Sequence, residues 1–469
     1  MQSDLSSNFL RKVWKRLRDS PVPVVDEDDY KNAELVASEL NVAMRDHLYL
    51  PSTIHGYLGI QKGGGVTRFL PILTAKDMGV YYYLCYMLAP KILVKKKGVF
   101  GGWHVSPEVQ PSQENDAEAF SLGYGGVDPF SNYWWLVEWR QFNNLIGEVI
   151  SDGKVGKFVV STDVANFYDS IEVPRLISRL RRNPSVEHDA ADALNAFLSF
   201  WNRKHTGYMP STKGIPQEII SDASRILSHF YLQEFDDEFS AYCDVRNLTY
   251  IRWADDILVF GNSKGKLQSA VHQISRILRD IGLNLNASKT KYMSKSQLKE
   301  HRCLDVIDAI SADDHKKVVT GLAKIKALSA SGADIRLDTV FKAMIGYLSR
   351  NKNLQTTKNK AFVLETAESH PDLLHSLNKL QMLRFLELAD NPMESFKALR
   401  KEICKADFGG PKASFLHMMR KYRNALAQMG MTQSIALSAI ADIEKSSADS
   451  DVIIGFCVPL VRAKYLGKL

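Results

Sequence analysis

The sequence predicts an α+β protein in which a buried antiparallel sheet precedes an all-helical C-terminal region. Residues 250–260 read as two short apolar strands joined by a tight turn, and the turn carries two adjacent acids. Residues 157–163 form a β-branched run that also ends in an acid. From residue 306 to 469 the apolar positions recur at helical spacing, with short Gly and Pro breaks between them.

Composition is typical of a globular chain. The 469 residues are 45% hydrophobic and 24% charged, with a formal charge of +7. Five scattered cysteines form no Cys-x-x-Cys pair, which argues against zinc and for a reducing compartment. No apolar run approaches the length of a membrane span. We therefore expect a cytoplasmic protein with no membrane partner, and the mild positive charge is compatible with nucleic acid.

The acid pair in the predicted turn is Asp255 and Asp256. Neighbouring carboxylates in a partly buried place are unfavourable unless a cation lies between them. An Asx turn on a surface hairpin is the alternative, but apolar and aromatic flanks favour a buried sheet. Asp163 ends the other predicted strand, so the three acids converge if the strands are neighbours. Oxygen ligands of this kind suit two Mg²⁺ ions, or Mn²⁺ in their place, for phosphoryl transfer.

Four motifs then resemble those of reverse transcriptases. Asp163-x-x-x-Phe167-Tyr168 is similar to motif A, and Gly214-Ile-Pro-Gln217 followed by Ser221 is similar to motif B. Arg252-Trp-Ala-Asp-Asp256 is similar to motif C, with Trp253 where tyrosine is usual, and residues 282–290 are similar to motif D. Glu218 follows Gln217 where the family usually has glycine. The resemblance covers residues 55–295 and is nearest to prokaryotic abortive-infection and defence-associated types, which are related to group II intron and retron enzymes.

The resemblance implies a right-hand polymerase. Residues 1–50 would be an N-terminal helical segment, residues 51–156 the fingers, and residues 157–295 a palm with an antiparallel sheet and a helical finger insertion at about 187–225. Residues 296–469 would be a helical thumb or C-terminal domain. Paired helices of this length are typical of an α-solenoid, and a thumb with an irregular helical bundle remains the alternative.

The resemblance also implies roles for single residues. Asp163, Asp255 and Asp256 would hold the two metal ions with the backbone carbonyl of Val164, and Lys289 would neutralise charge or donate a proton at the leaving group. The nucleotide would contact Gln217 and the finger arginine Arg68. Tyr168 would exclude a 2′-hydroxyl and so select dNTPs, whereas Phe167 would point into the core.

The implied activity is RNA-directed DNA synthesis on an RNA template, with dNTPs as substrates and a DNA product, in defence against phage. RNA-directed RNA synthesis, untemplated or protein-primed DNA synthesis, and a non-catalytic RNA-binding scaffold remain alternatives. A noncoding RNA and a homo-oligomer are further expected partners. For protein priming, a mobile tail that carries Tyr465 is the expected source of the hydroxyl. The helices from residue 306 onward are expected to engage nucleic acid or a partner.

Overall fold

The chain forms two compact units. The computed structural model describes residues 4–25, 27–63, 66–102, 134–220, 222–447 and 452–467. The first unit comprises Met1–Leu17, Val25–Ile54 and Leu73–Leu298, and the second comprises Arg18–Val24, His55–Ile72 and Lys299–Leu469. The loop expected around residues 113–132 and Ser221 of the motif B resemblance lie outside the described residues.

A five-stranded sheet is the centre of the first unit. Its strands lie in the order β3-β5-β6-β4-β7, and every neighbouring pair is antiparallel except β3 with β5. The bounds are β3 Val99–Phe100, β4 Phe158–Asp163, β5 Thr249–Trp253, β6 Asp256–Gly261 and β7 Lys291–Ser294. The apolar runs that flank the acids are β4 and β6, the buried inner strands, as the sequence predicts.

Twelve described helices surround or flank this sheet. They are α1 Ser7–Arg18, α2 Glu27–Lys31, α3 Ala33–Arg45, α4 Ala75–Ile92, α5 Trp134–Ser151, α6 Phe167–Ser170, α7 Val173–Arg182, α8 His188–Phe200, α9 Arg203–Thr206, α10 Asp222–Arg246, α11 Lys264–Asp280 and α12 Lys295–His301. Helix α10 packs on α4, α11 and β5, and α11 also packs on β4 and β6. These contacts bury the apolar stripe of α11, which recurs at helical spacing through Leu267, Ala270, Ile274 and Leu278.

The second unit combines one β-hairpin with the C-terminal helices. The hairpin strands are β1 Gly56–Gly63 and β2 Val66–Ile72, and their antiparallel ladder has a bulge near the turn. The helices are α13 Leu304–Ser311, α14 His315–Ala330, α15 Leu337–Arg350, α16 Thr357–Ser369, α17 Lys379–Leu388, α18 Pro392–Lys405, α19 Gly409–Lys421, α20 Arg423–Gln428, α21 Gln433–Ser446 and α22 Val458–Tyr465. Strand β1 packs on α19.

These units do not coincide with the four segments read from the sequence. Residues 55–72, which fall in the predicted fingers segment, group with the C-terminal helices, because Gly59 packs on Phe408 and Gly410 packs on Ile60. The remaining described residues of 51–156 group with the sheet. The division into fingers, palm and thumb stays a prediction.

The C-terminal region is helical as the sequence predicts. However, two apolar runs whose spacing predicts one helix each, residues 373–388 and 415–429, are broken. The apolar run at 373–388 divides into a 3₁₀ turn, Pro371–Ser376, and α17. Asn378 causes the break because its side chain accepts the backbone N–H groups of Leu380 and Gln381, which starts a new helix. The run at 415–429 likewise divides into α19 and α20 at Tyr422.

Tyr465 is not on a mobile tail. It lies at the end of α22, is 5% exposed, and its hydroxyl donates to the carbonyl of Met419 at 3.2 Å. Burial raises the pKa of the Tyr465 phenol to about 12. Packing against α19 therefore overturns the expectation of a free C-terminal hydroxyl at this residue. Among the described helices, none is both long enough and apolar enough to cross a membrane.

Candidate active site

The sheet brings the three predicted acids together. Asp163, the last residue of β4, is the register partner of Asp256, the first residue of β6. Asp255 lies in the two-residue turn between β5 and β6, and its carbonyl accepts the N–H of Val164 at 3.3 Å. The strands are therefore neighbours, as the convergence of the acids requires. Both Asp255 and Asp256 are half-buried, whereas Asp163 is 4% exposed.

The two carboxylate oxygens of Asp163 differ in their hydrogen-bond partners. Oδ2 accepts from Lys289 Nζ at 2.6 Å, and the lysine side chain is 59% exposed. Oδ1 is buried and has no hydrogen-bond partner among the described residues. A buried carboxylate oxygen without a partner is unfavourable by about 1–3 kcal/mol, so this atom fits a cation ligand.

The carbonyl of Val164 is not used by the bridge that holds this end of β4. An isolated bridge joins Val164 to Leu285, and it is formed by two bonds: Ala165 N–H to the Asn284 carbonyl, and Asn286 N–H to the Asp163 carbonyl. Neither bond uses the Val164 carbonyl. In the described ranges no three acidic, imidazole or thiol side chains are gathered as a metal site. Mg²⁺ needs only one or two carboxylates when substrate phosphates and water complete its shell, so the donor set fits this ion.

The segment that resembles motif D is joined to β4. Besides the bridge at Leu285, the hydroxyls of Thr162 and Thr290 lie 2.8 Å apart, and Thr290 also donates to the Asn286 carbonyl. These bonds hold the 3₁₀ turn Ala287–Lys289 beside the end of the strand. As a result, Lys289 reaches Asp163 across 126 positions of sequence.

Phe167 lies in the core, as the sequence predicts, and the neighbouring Tyr168 does not. Phe167 is 4% exposed, whereas Tyr168 is half-buried, and their ring centroids are 5.5 Å apart. Burial is the largest cause that raises the pKa of Tyr168 to about 12, and the charge of Asp255 adds to it although Arg225 opposes it. The ring is therefore neutral at physiological pH and close enough to Asp255 to respond to its charge.

Gln217 lies in a loop, half-buried, directly before a fully buried carboxyl group. Glu218 Oε2 lies 2.5 Å from the hydroxyl of Ser224, and Tyr82 donates to Glu218 Oε1 at 3.3 Å. Burial raises the pKa of Glu218 to about 7, and the hydrogen bond from Ser224 opposes this shift. Where the family usually has glycine, this chain anchors the Gln217 loop to α4 and α10.

The N-terminal end of α10 is also held by a buried ion pair. Arg16 of α1 lies 2.6 Å from Asp222, and the two side chains are 11% and 3% exposed. The sequence of α1 predicts a basic helix that is either a solvated face or a phosphate contact, and neither prediction includes a buried ion pair. The pairing joins residues that are far apart in sequence, so no local pattern could have revealed it.

A second buried ion pair lies beneath the acidic turn. Arg252 of β5 and Asp236 of α10 are both fully buried, with Arg252 Nε at 2.8 Å and a second guanidinium nitrogen at 2.5 Å from the two carboxylate oxygens. The remaining guanidinium nitrogen donates to the Ala254 carbonyl at 2.6 Å, and Tyr250 donates to Asp236 at 2.7 Å. Burial alone would lower the pKa of Arg252, but Asp236 raises it, so the arginine stays charged.

The Ala254 carbonyl belongs to the turn that carries Asp255. Ala254 has φ of +50°, a left-handed conformation that is strained for any residue except glycine. The bond from Arg252 therefore holds this strained turn in place. Sequence reasoning included Arg252 only as part of a motif, and it missed Asp236, which no spacing rule connects to the hairpin.

The aromatic residue that stands where tyrosine is usual is half-buried and packs against α5. Trp253 packs edge-to-face on Trp139, with ring centroids 5.0 Å apart, and lies 5.4 Å from the ring of Phe142. Trp139 and Phe142 both lie on α5, at helical spacing. Packing against α5 explains these rings without a base-stacking role.

Arg68 is not in the unit that contains the acids. It lies half-buried on β2, paired in register with Ile60, and β2 belongs to the second unit. The carboxylates, Tyr168, Gln217 and Lys289 all belong to the first. The structure thus gathers every predicted site residue into one unit except Arg68.

Comparison with known proteins supports the resemblance seen in the sequence. Residues 137–318 match the family model for reverse transcriptase (RNA-dependent DNA polymerase), and this range contains β4–β7 and all three acids. The segment is therefore similar to a reverse transcriptase domain, and the predicted resemblance to prokaryotic enzymes of this class is confirmed. The retron Ec83 reverse transcriptase of Escherichia coli is 26% identical over 144 residues.

That match covers 30% of this chain and 44% of the retron enzyme, so the chain spans less than half the length of this curated relative. A telomerase from Candida albicans, solved in complex with a TWJ fragment of telomeric RNA, is 11% identical. The alignment covers 62% of this chain and 53% of the telomerase chain, with a TM-score of 0.27. A TM-score this low does not establish a shared fold.

We predict that Arg252→Met lowers the free energy of unfolding by about 3–5 kcal/mol, because it leaves Asp236 buried without a counter-ion. Denaturant unfolding followed by tryptophan fluorescence measures the change. The double variant Arg252→Met, Asp236→Leu should recover much of the loss, since no buried charge remains.

The matched control is the exposed pair of Arg276 and Glu238, whose side chains are 53% and 54% exposed. Arg276→Met should change the unfolding free energy by about 1 kcal/mol or less. Equal losses for Arg252→Met and Arg276→Met would contradict the anchoring role of the buried pair.

Proposed function

We propose that this chain is an RNA-directed DNA polymerase that transfers dNMP from a dNTP to a primer hydroxyl. The observation that carries the proposal is the convergence of Asp163, Asp255 and Asp256 at adjacent strand ends inside the reverse transcriptase match. RNA would be the template and DNA the product. A role in antiphage defence is supported by the resemblance to abortive-infection types, and a noncoding RNA and a homo-oligomer remain proposed partners.

Asp163, Asp256, Asp255 and the Val164 carbonyl are the donors that would hold two Mg²⁺ ions, and Mn²⁺ suits the same donors. When bound, such ions activate the attacking hydroxyl and stabilise the leaving pyrophosphate. The chain itself positions these donors: β4 and β6 fix Asp163 and Asp256 in register, and Arg252 holds the turn that carries Asp255. Lys289 supplies a cation beside Asp163, where negative charge from a triphosphate would collect.

Sugar selection follows from Tyr168. Its half-buried, neutral ring lies five residues after Asp163 and near Asp255, where it would lie under the incoming sugar. A ring in that place excludes a 2′-hydroxyl by steric overlap and so favours dNTPs over ribonucleotides. This position of Tyr168 supports DNA synthesis over RNA synthesis. Gln217 is the proposed nucleotide contact from the anchored loop, and Arg68 of the second unit stays a proposed contact to the triphosphate.

The non-catalytic scaffold is the second candidate function. The buried Asp163 oxygen without a protein partner disfavours it, because a scaffold would gain stability by replacing that acid. Protein priming stays open in principle, but Tyr465 is buried and hydrogen-bonded and is a poor candidate for the hydroxyl.

We predict that Asp255→Ala with Asp256→Ala abolishes Mg²⁺- or Mn²⁺-dependent dNTP incorporation while the protein stays folded. Removing these ligands removes the groups that stabilise the transition state. Labelled dNTP incorporation on an RNA template with a DNA primer measures the effect. Incorporation by the double variant at the wild-type rate would refute the proposed function, and Asp280→Ala on the exposed end of α11 is the control.

We predict that Tyr168→Ala reduces the preference for dNTPs over ribonucleotides by a factor of about 10 or more, because the 2′-hydroxyl is no longer excluded sterically. The kcat/KM for the dNTP itself should fall by a smaller factor. The ratio of kcat/KM for a dNTP and its ribonucleotide measures the preference. Phe167→Leu, which changes the core neighbour, should leave the ratio unchanged. A constant ratio in Tyr168→Ala would show that another residue selects the sugar.

We predict that Lys289→Met lowers the Mn²⁺ concentration needed for half-saturation of the protein without nucleotide. The ammonium group of Lys289 competes with a cation for Asp163, so its removal favours ion binding. Electron paramagnetic resonance of free Mn²⁺ measures binding directly, and Lys264→Met on an exposed helix start is the control. Weaker Mn²⁺ binding in Lys289→Met than in Lys264→Met would contradict the competition.

A further inference from the structure

A cationic groove lies between two helices of the second unit. It has a volume of about 680 Å³ and lies where α18 packs on α21. We call it the basic groove, and its lining comprises Lys397, Arg400, Lys401, Cys404, Asp442, Lys445 and Ser446. Four of these seven side chains are cationic and one is acidic, so the groove is strongly positive.

The single acid of the basic groove is already paired. Arg400 Nε donates to Asp442 Oδ2 at 2.7 Å, and a terminal guanidinium nitrogen of Arg400 contacts the same oxygen and the Ser438 hydroxyl at 3.1 Å. Within the described part of the chain, Lys397, Lys401 and Lys445 have no carboxylate within ion-pair distance. Three like charges therefore face one groove without a counter-charge.

Helix-end electrostatics do not account for these lysines. A cation in the last turn of a helix is favourable because it faces the negative end of the helix dipole. Lys445 is in the last turn of α21, but the Ser446 carbonyl there already accepts from the buried ammonium of Lys412. Lys397 lies in the middle of α18, and Lys401 follows it by one turn.

We propose that the basic groove binds the phosphodiester backbone of single-stranded RNA, outside the polymerase site. Residues spaced by four on a helix are about 5–6 Å apart, so Lys397 and Lys401 match consecutive charges of a polyanion better than a lone anion. Lysine is a point-charge phosphate ligand that imposes no geometry on a flexible strand. This proposal rests on the proposed function, which supplies a chain of RNA as the bound substrate.

The lining indicates binding without sequence preference. None of the seven lining residues is aromatic, so the groove offers no ring on which bases stack. Phosphate contacts fix the position of a strand and carry no sequence information. The groove therefore suits the retention of RNA of any sequence.

The test uses the full-length chain with Lys397→Glu, Lys401→Glu and Lys445→Glu combined. Binding of a fluorescein-labelled single-stranded RNA of mixed sequence is followed by anisotropy at several KCl concentrations. The slope of log Kobs against log [KCl] is negative, and each lost phosphate contact to a single strand reduces its magnitude by about 0.7. For three lysines we expect the magnitude to fall by about 2. At low salt the affinity should fall by about tenfold or more.

The matched control reverses three exposed lysines elsewhere in the same unit, Lys316→Glu, Lys352→Glu and Lys358→Glu, with the same change in net charge. The proposal predicts a loss in the groove variant that exceeds the loss in the control. Equal slopes and affinities in the two variants would overturn the proposal. The proposal would also be overturned if the groove variant lost affinity for a poly-glutamate peptide but not for RNA.

Two further variants keep the result interpretable. If charge reversal unfolds the second unit, as judged by circular dichroism, the three lysines are replaced with glutamine, which should give the same direction of change. The Asp255→Ala, Asp256→Ala protein should retain the full groove contribution to RNA binding. If the wild-type protein binds RNA through the groove but incorporates no dNTP, the proposed function is refuted and the groove proposal stands.

Discussion

The buried pair of Arg252 and Asp236 is the interaction on which the candidate site depends. Two fully buried charges are tolerated only because the guanidinium matches the carboxylate with two contacts and Tyr250 satisfies another lone pair. The remaining guanidinium nitrogen is directed to the Ala254 carbonyl, in the strained turn before Asp255. One buried network thus connects α10, β5 and the acidic turn, and removing either charge leaves the other uncompensated.

Asp163 shows the opposite arrangement, in which charge compensation is incomplete. One oxygen is paired with an exposed lysine, and the other oxygen is buried without a partner among the described residues. Natural cores rarely retain such an atom unless it has a function. The two arrangements have different roles. The pair of Arg252 and Asp236 fixes the geometry of the turn, and Asp163 keeps an oxygen available as a ligand for a cation.

The loop that precedes α10 is held by buried polar groups. Glu218 is held by Ser224 and Tyr82, and Asp222 is held by Arg16 of the N-terminal helix. With a pKa raised to about 7, Glu218 is stabilising in its protonated form and becomes less favourable as pH rises through that value. The Gln217 loop is therefore connected to parts of the chain that resembled no motif.

The sequence by itself determined β4, β5 and β6, the acids at their ends, the buried Phe167, and the helical C-terminal region. Alternation, β-branching and helical spacing are local properties, so a linear pattern contains them. The prediction of helices from apolar spacing was wrong where a helix cap such as Asn378 divided an apolar run. Only the tertiary structure decided that Lys289 reaches Asp163, that Asp236 anchors Arg252, and that the strand of Arg68 joins the C-terminal helices. Such pairings depend on how separate elements pack, and no spacing along one segment determines them.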